Sequence, residues 1–198
     1  MSMKGAFVTL EGIDGSGKTT LCKLLAEKLS YRNAVITAEP THEHIGKFIR
    51  DGSAGKISQR TESLLFLADR SNHTEQINAL TANGSVVLCD RYFASTLAYQ
   101  SAVLGGDRTD MEWLEKISEP FVHEADITFL LDIDPKISLG RVGARGEDIS
   151  KFENLDFLEE VRKTYLSLAD KYNFIILDAS KPVDELADVA LKEIEKIL

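Results

Sequence analysis

The stretch Gly5-Ala-Phe-Val-Thr-Leu-Glu-Gly-Ile-Asp-Gly-Ser-Gly-Lys-Thr-Thr-Leu-Cys-Lys-Leu-Leu25 decides the fold. Its first residues, Gly5 to Glu11, are a short apolar run that stops at a glycine-rich turn, and Leu21, Leu24, Leu25 and Leu29 follow at helical spacing. Strand, loop and helix therefore come in that order. Gly12, Ile13, Asp14, Gly15, Ser16, Gly17, Lys18 and Thr19 fit the pattern GxxxxGK followed by Ser or Thr, in the strand-to-helix context that makes it a phosphate-binding loop. Glycines let consecutive backbone N–H groups turn toward phosphate oxygens, and the helix that follows adds the positive end of its dipole. Lys18 is placed to reach the β- and γ-phosphates, the Thr19 hydroxyl to hold Mg²⁺, and Thr20 to extend the nucleotide-binding set. ATP or GTP binding follows. A GTPase also needs a guanine-reading Asn/Thr-Lys-x-Asp segment after a later strand, and the chain has none.

The same alternation runs on. Ala34 to Ala38 and Ser85 to Cys89 read as strands, with helical stretches from about Glu43 and Ser58 between them. Ile127 to Asp132 and Phe174 to Asp178 are apolar runs too short for core helices, each ending in an aspartate. The helix after the first carries Leu158, Val161, Tyr165, Leu168 and Tyr172, and the last helix carries Leu186, Val189, Ala190, Ile194 and Ile197. Five nearly all-apolar strands alternating with helices predict an α/β fold: three layers, with a five-stranded parallel sheet flanked by helices. Such sheets bind ligands outside the carboxyl ends of their strands. Asp90, which closes Ser-Val-Val-Leu-Cys-Asp, is then the acidic partner of Thr19 at the metal site.

At 198 residues, with no repeat or Pro/Ser-rich linker, the chain reads as one domain over 1–198. The net charge of -9 argues against broad binding to nucleic acid. No apolar run approaches the roughly 20 residues of a membrane span. Cys22 and Cys89 lie far apart in segments that read as buried, which fits a reducing, cytoplasmic setting. His42 and His44 flank Glu43 in a polar loop and read as surface residues.

Up to this point the chain is a P-loop nucleotide-binding protein, and its acceptor must be read elsewhere. On the helix from Ser58, Leu64, Leu67, Ala68 and Ser71 form a stripe able to meet the core, leaving Phe66, Arg70, His73 and Ile77 on another side. Phe66 and Arg70 could there stack on a flat base and donate to its carbonyl. Spacing alone equally allows a core Phe66 and an ion pair from Arg70 to Asp69 or Glu62. Arg91, just past a strand, suits bidentate binding of a phosphate, and Ser95 and Tyr99 follow it on one helix face.

Four ordered segments carry a resemblance. Glu11-Gly-Ile-Asp-Gly-Ser-Gly-Lys-Thr-Thr20, Thr37-Ala-Glu-Pro40, Phe66-Leu-Ala-Asp-Arg70 with His73, and Asp90-Arg-Tyr92 with Ser95 and Ala98-Tyr-Gln100 together resemble the thymidylate kinase family, from about Gly5 to Leu177. The resemblance implies a P-loop kinase that moves the γ-phosphoryl of ATP onto dTMP with Mg²⁺, as a homodimer. It implies that Phe66 stacks on thymine, that Arg70 reads O4 and that Arg91 holds the acceptor phosphate. Ser95, Tyr99 and Gln100 line the thymidine pocket, Tyr99 crowding the place of a ribose 2′-OH. Asp14 orients the acceptor, Glu39 beside Pro40 holds water or metal near the phosphates, and Arg50 matches an arginine near the acceptor phosphate.

The family supplies a catalytic arginine from the P-loop or from a mobile lid. This loop has none, so a short lid at about 141–152 must provide it from Arg141 or Arg145. The resemblance brings Arg145 to the transferred phosphoryl and packs Arg141 against adenine. Two departures stand out: Thr37-Ala38-Glu39-Pro40-Thr41 replaces the family's TREPG, and Ser150-Lys151-Phe152-Glu153 replaces DRFE. Rival readings are a kinase of another small acceptor, such as dUMP, and an ATP-dependent switch without an acceptor.

Overall fold

A computed structural model describes residues 4–52, 57–105, 108–144 and 154–198. In chain order it contains β1 (Ala6–Glu11), α1 (Lys18–Lys28), β2 (Val35–Ala38), α2 (His44–Arg50), α3 (Gln59–Ala82), β3 (Val86–Asp90) and α4 (Phe93–Leu104). These are followed by α5 (Arg108–Ser118), β4 (Ile127–Asp132), α6 (Pro135–Gly143), α7 (Leu155–Tyr172), β5 (Ile175–Asp178) and α8 (Val183–Glu195). The five strands make one parallel sheet in the order β2-β3-β1-β4-β5. The expected α/β class and sheet are present, with each strand within a residue or so of its predicted run.

Helices start and stop where local chemistry allows. Ser58 caps α3 by accepting from the Thr61 N–H, Asp134 caps α6 ahead of Pro135, and Asn154 caps α7 through the Asp156 N–H. Helices cover both faces of the sheet, α1 packing with α8 and α4 with α5 and α7. Val8, Leu10, Leu21, Leu25, Val86 and Leu88 belong to the main core, while Phe7, Ile77, Val87, Cys89 and Tyr92 form a second cluster. Both cysteines are buried and free.

The reading of α3 needs correction. Leu64 is 51% exposed and Ala68 lies outside, whereas Glu62, Ser63, Asp69, Arg70 and His73 are buried together with Leu67 and Ile77. The inward face is polar because its charges are paired: Asp69 accepts from both the N–H and hydroxyl of Thr41, at 2.6 Å each, and Arg70 and His73 share a carboxylate described below. A hydrophobic stripe locates a buried helix face only when the neighbouring layer offers no such partners. Val189 of α8 is likewise exposed although it sat in the predicted stripe.

Because the strands are parallel, their carboxyl ends share one edge. Gly12 follows β1, Glu39 and Pro40 follow β2, Arg91 follows β3 and α6 follows β4. The core beneath that edge is tight, so Leu25→Ala, at a fully buried site in α1, should destabilise the fold by about 2–5 kcal/mol. Urea unfolding should show a lower midpoint with an unchanged slope.

Candidate active site

Gly12 and Gly15 have φ of 142° and 73°, values that side chains disfavour, and a Cβ there would lie 2.6 Å from the Leu131 carbonyl or 2.7 Å from the Ser138 carbonyl. The phosphate loop is thus pressed against the end of β4 and against α6. Ser138 donates its hydroxyl to the Asp14 carbonyl, and Arg141 reaches the Gly15 carbonyl at 3.4 Å. Arg141 stands in the last turn of α6, so the segment expected to act as a lid begins as helix; Arg145 lies outside the described residues.

Within the loop, the Ile13 side chain is buried in the core while its carbonyl accepts from the Ser16 N–H and from the Lys18 ammonium, at 3.2 and 2.9 Å. Thr19 donates to Asp90 at 2.5 Å, which joins the start of α1 to the end of β3. Asp14, Lys18, Thr19, Thr20, Asp90 and Arg91 line one side of a cleft of about 320 Å³, and Glu39, Pro40 and Arg50 line the other. A larger cavity of about 780 Å³ lies between α5 and the carboxyl end of α7. It contains no residue of the phosphate loop, so the smaller cleft is the candidate site.

Arg91 is the hub of the cleft. Its Nη2 donates to Asp14 at 2.6 Å and to the Tyr99 hydroxyl at 3.4 Å. Nη1 donates to the Gly12 carbonyl, Ser95 and Tyr165, at 3.2, 3.1 and 3.4 Å. The guanidinium also sits over the Tyr99 ring, 4.9 Å from its centre. The backbone at Arg91 has φ 71°, an unusual value for a residue with a side chain, and its N–H bonds to the Leu10 carbonyl. Arg91 chiefly, and Lys18 in addition, hold the Asp14 carboxyl down at about 2, against the partial desolvation that acts the other way.

A second buried network stands at the end of β2. Arg70, fully buried, donates Nε and Nη2 to Glu39 at 3.0 and 2.5 Å and Nη2 to Thr96 at 2.8 Å, and it lies over the Tyr92 ring. His73 pairs with the other Glu39 oxygen at 2.9 Å and with Thr37 at 2.6 Å. The partner of Arg70 is therefore Glu39, not Asp69 or Glu62. Both Glu39 oxygens accept from these side chains, and Glu39 also lines the cleft beside the phosphate loop. Arg70 Nη1 is buried with no hydrogen-bond partner among the described residues.

Phe66, half-buried, precedes Arg70 by one turn of α3, and Gln100 is buried and accepts from Ser63 at 3.2 Å. Arg50 donates to the carbonyls of Pro40, across the cis Glu39–Pro40 bond, and of Thr41. His42 and His44 are exposed, and no cluster of three or more His, Cys, Asp or Glu occurs among the described residues. Two residues of the site were given no role by the sequence, although Glu11 opens one of the segments of resemblance. Glu11 looked like a strand end and Tyr165 like a core stripe, yet both join the Arg91 network.

The Asp14–Arg91 pair gives a pH-dependent expectation. A carboxyl held near 2 rather than 3.8 stabilises the fold above pH 3.8, and that contribution disappears as pH falls toward 2. With the Asp14 side chain 45% exposed, solvent screens the pair and the contribution is small. Arg91→Met should let the Asp14 carboxyl climb back toward 3.8, read by carboxyl carbon-13 NMR titration; a midpoint that stays near 2 would assign the shift to Lys18 instead.

The comparisons agree with this geometry. The family model for thymidylate kinase matches residues 10–189. A probable thymidylate kinase of Methanococcoides burtonii is 38% identical over 200 residues, covering 99% of each chain. Those of Methanocaldococcus jannaschii and Sulfurisphaera tokodaii are 44% and 43% identical, the first covering 88% of this chain and 87% of its own, the second 92% of each. With a phosphate loop that lines a cleft and a match along nearly its whole length, the chain belongs to the thymidylate kinase family and is a nucleoside monophosphate kinase.

Proposed function

We propose that this chain phosphorylates dTMP to dTDP with ATP as donor, Gly12 to Thr20 holding the donor phosphates and Arg70 and Arg91 holding the two ends of the acceptor. One observation carries the acceptor assignment. Arg70 is fully buried, its Nε and Nη2 are fixed by Glu39 and Thr96, and Nη1 has no partner among the described residues. A buried cationic donor left open is costly, and a base carbonyl such as O4 of thymine is an acceptor that relieves it. Phe66, one turn earlier on α3, supplies a face for the ring. Arg91, held between the Gly12 carbonyl and Asp14, exchanges its carboxylate partner for the acceptor phosphate. Asp14, ionised and lining the cleft, is then released to orient the acceptor. Tyr99, whose hydroxyl donates to Asp14 at 3.1 Å, fills the adjoining space where a 2′-OH would lie.

Mg²⁺ fits Thr19 and Asp90, because the pair offers oxygen ligands only and leaves the remaining positions to phosphate and water. Bound there, it would neutralise charge on the donor phosphates. Lys18 supplies a further cation from inside the loop, and Arg145 is the proposed cation for the moving phosphoryl, since the loop has no arginine. We infer a homodimer as well, supported by the exposed outer face of α3 with Leu64 at 51% and by exposed Phe48 on α2. A cytoplasmic setting is supported by the two free, buried cysteines.

The test is an ADP-release assay across dTMP, dUMP, UMP, CMP, dGMP and shikimate. Fastest turnover with dTMP is expected, and no turnover with any deoxypyrimidine monophosphate would sink the reading. Arg70→Ala should raise KM for dTMP by about 10- to 100-fold, the loss of hydrogen bonds from a buried cation, with KM for ATP unchanged. Arg145→Ala should lower kcat far more than it weakens ATP binding; an unchanged kcat would remove it from the reaction.

A further inference from the structure

Glu11 ends β1 immediately before the phosphate loop, and its side chain is only 1% exposed. Three donors converge on it. Oε1 accepts the Tyr92 N–H at 2.9 Å, and Oε2 accepts the hydroxyls of Ser95 at 2.6 Å and Tyr165 at 3.3 Å. A site built only of donors fits an ionised carboxylate, which accepts at both oxygens. Burial holds the Glu11 carboxyl above the ordinary carboxylate range, and the Ser95 hydroxyl, Arg91 and the Tyr92 N–H offset only part of that rise. Tyr92 is the N-cap residue of α4, so the carboxylate also sits against the positive end of that helix.

The consequence reaches Arg91. Ser95 has a single hydroxyl proton; with that proton given to Glu11, the oxygen is left as an acceptor for Arg91 Nη1 at 3.1 Å and for Tyr165 at 2.7 Å, whose own single proton is shared between Ser95 and the more distant Glu11 oxygen. Nη1 is in this way tied to the protein, and Nη2 alone faces Asp14 and the cleft. Asp14 is a partner that Arg91 must give up when a phosphate arrives, whereas Glu11 is buried behind the helix and stays. We propose that Glu11, acting through Ser95 and Tyr165, is a positioning residue that fixes the Arg91 guanidinium with its Nη2 edge toward the acceptor phosphate. Ser95 then serves the acceptor indirectly, by relaying a buried negative charge. The left-handed backbone at Arg91 is consistent with a side chain whose direction is imposed from several sides.

This rests on the reading of Arg91 as the acceptor-phosphate arginine, and the test separates the two. Glu11→Gln keeps the shape and removes the charge; Tyr165→Phe keeps the ring and removes the hydroxyl, and serves where Glu11→Gln fails to fold. Each should raise KM for dTMP roughly 10- to 100-fold, as outer-sphere partners of a binding group commonly do, while KM for ATP stays within about twofold. A merely structural role would lower the melting temperature and the active fraction but leave KM for dTMP as it was. The second readout needs no substrate. Nitrogen-15 NMR of the intact protein should show separate Arg91 Nη signals in the wild type and averaged ones in both variants, because the guanidinium is freed to rotate. Separate signals in the variants, or unchanged KM for dTMP, would overturn the positioning role. Loss of dTMP turnover in Arg91→Met would meanwhile leave the acceptor reading standing, and retained turnover there would remove that reading instead.

Discussion

The parallel pairing of β1 with β3, with Leu10 opposite Asp90, is the constraint on which the site depends. One strand ends in the phosphate loop and its neighbour runs out through Asp90 to Arg91, so residues some seventy to eighty positions apart meet within hydrogen-bond distance. The Arg91 N–H continues the ladder by one more bond, to the Leu10 carbonyl. A one-residue slip would turn every side chain of β3 to the opposite face and carry Asp90 away from Thr19. Val8 and Leu10 of β1 and Val86 and Leu88 of β3, apolar and fully buried, anchor the two strands between the helical layers.

Charge placement follows from the same edge. Isolated buried ions are costly, and the buried Arg70 and the largely buried Arg91 both stand among acceptors: Arg70 with Glu39 and Thr96, Arg91 with Asp14, Ser95 and the Gly12 carbonyl. The exception is informative. Arg70 keeps one nitrogen without a partner while its other donors are clamped by Glu39, itself clamped by His73, so the open group has a fixed direction. Such an arrangement costs stability, because a buried donor without a partner forfeits its hydration.

How much of this was legible in the sequence depended on the range of the interactions. The strands and the phosphate loop are written locally, in apolar runs and glycine spacing, and Thr19 with Asp90 followed once two strand ends were recognised. The α3 helix was legible as a helix but not in its orientation, because Leu64 and Ala68 look like core while the partners of Arg70 and His73 lie on β2 and α4. Glu11 and Tyr165 were silent for the same reason. Their bonds to each other and to Ser95 span 154 and 84 residues in the chain, and nothing local distinguishes a strand-ending glutamate or a stripe tyrosine from its neighbours.

Helix α4 is what joins the two charge networks. Its consecutive residues Ser95 and Thr96 accept from Arg91 and Arg70 respectively, and Gln100 and Tyr99 repeat the pattern one turn on, toward Ser63 of α3 and toward Asp14. In the proposed roles these arginines grip the phosphate and the base of one acceptor. A rigid helix therefore sets the distance between them, as a ruler for the length of a nucleoside monophosphate. A non-nucleotide alcohol would reach only one of the two grips and would leave Arg70 Nη1 without an acceptor. That gives selectivity against short acceptors by the cost of an unpaired buried donor, with no steric block required.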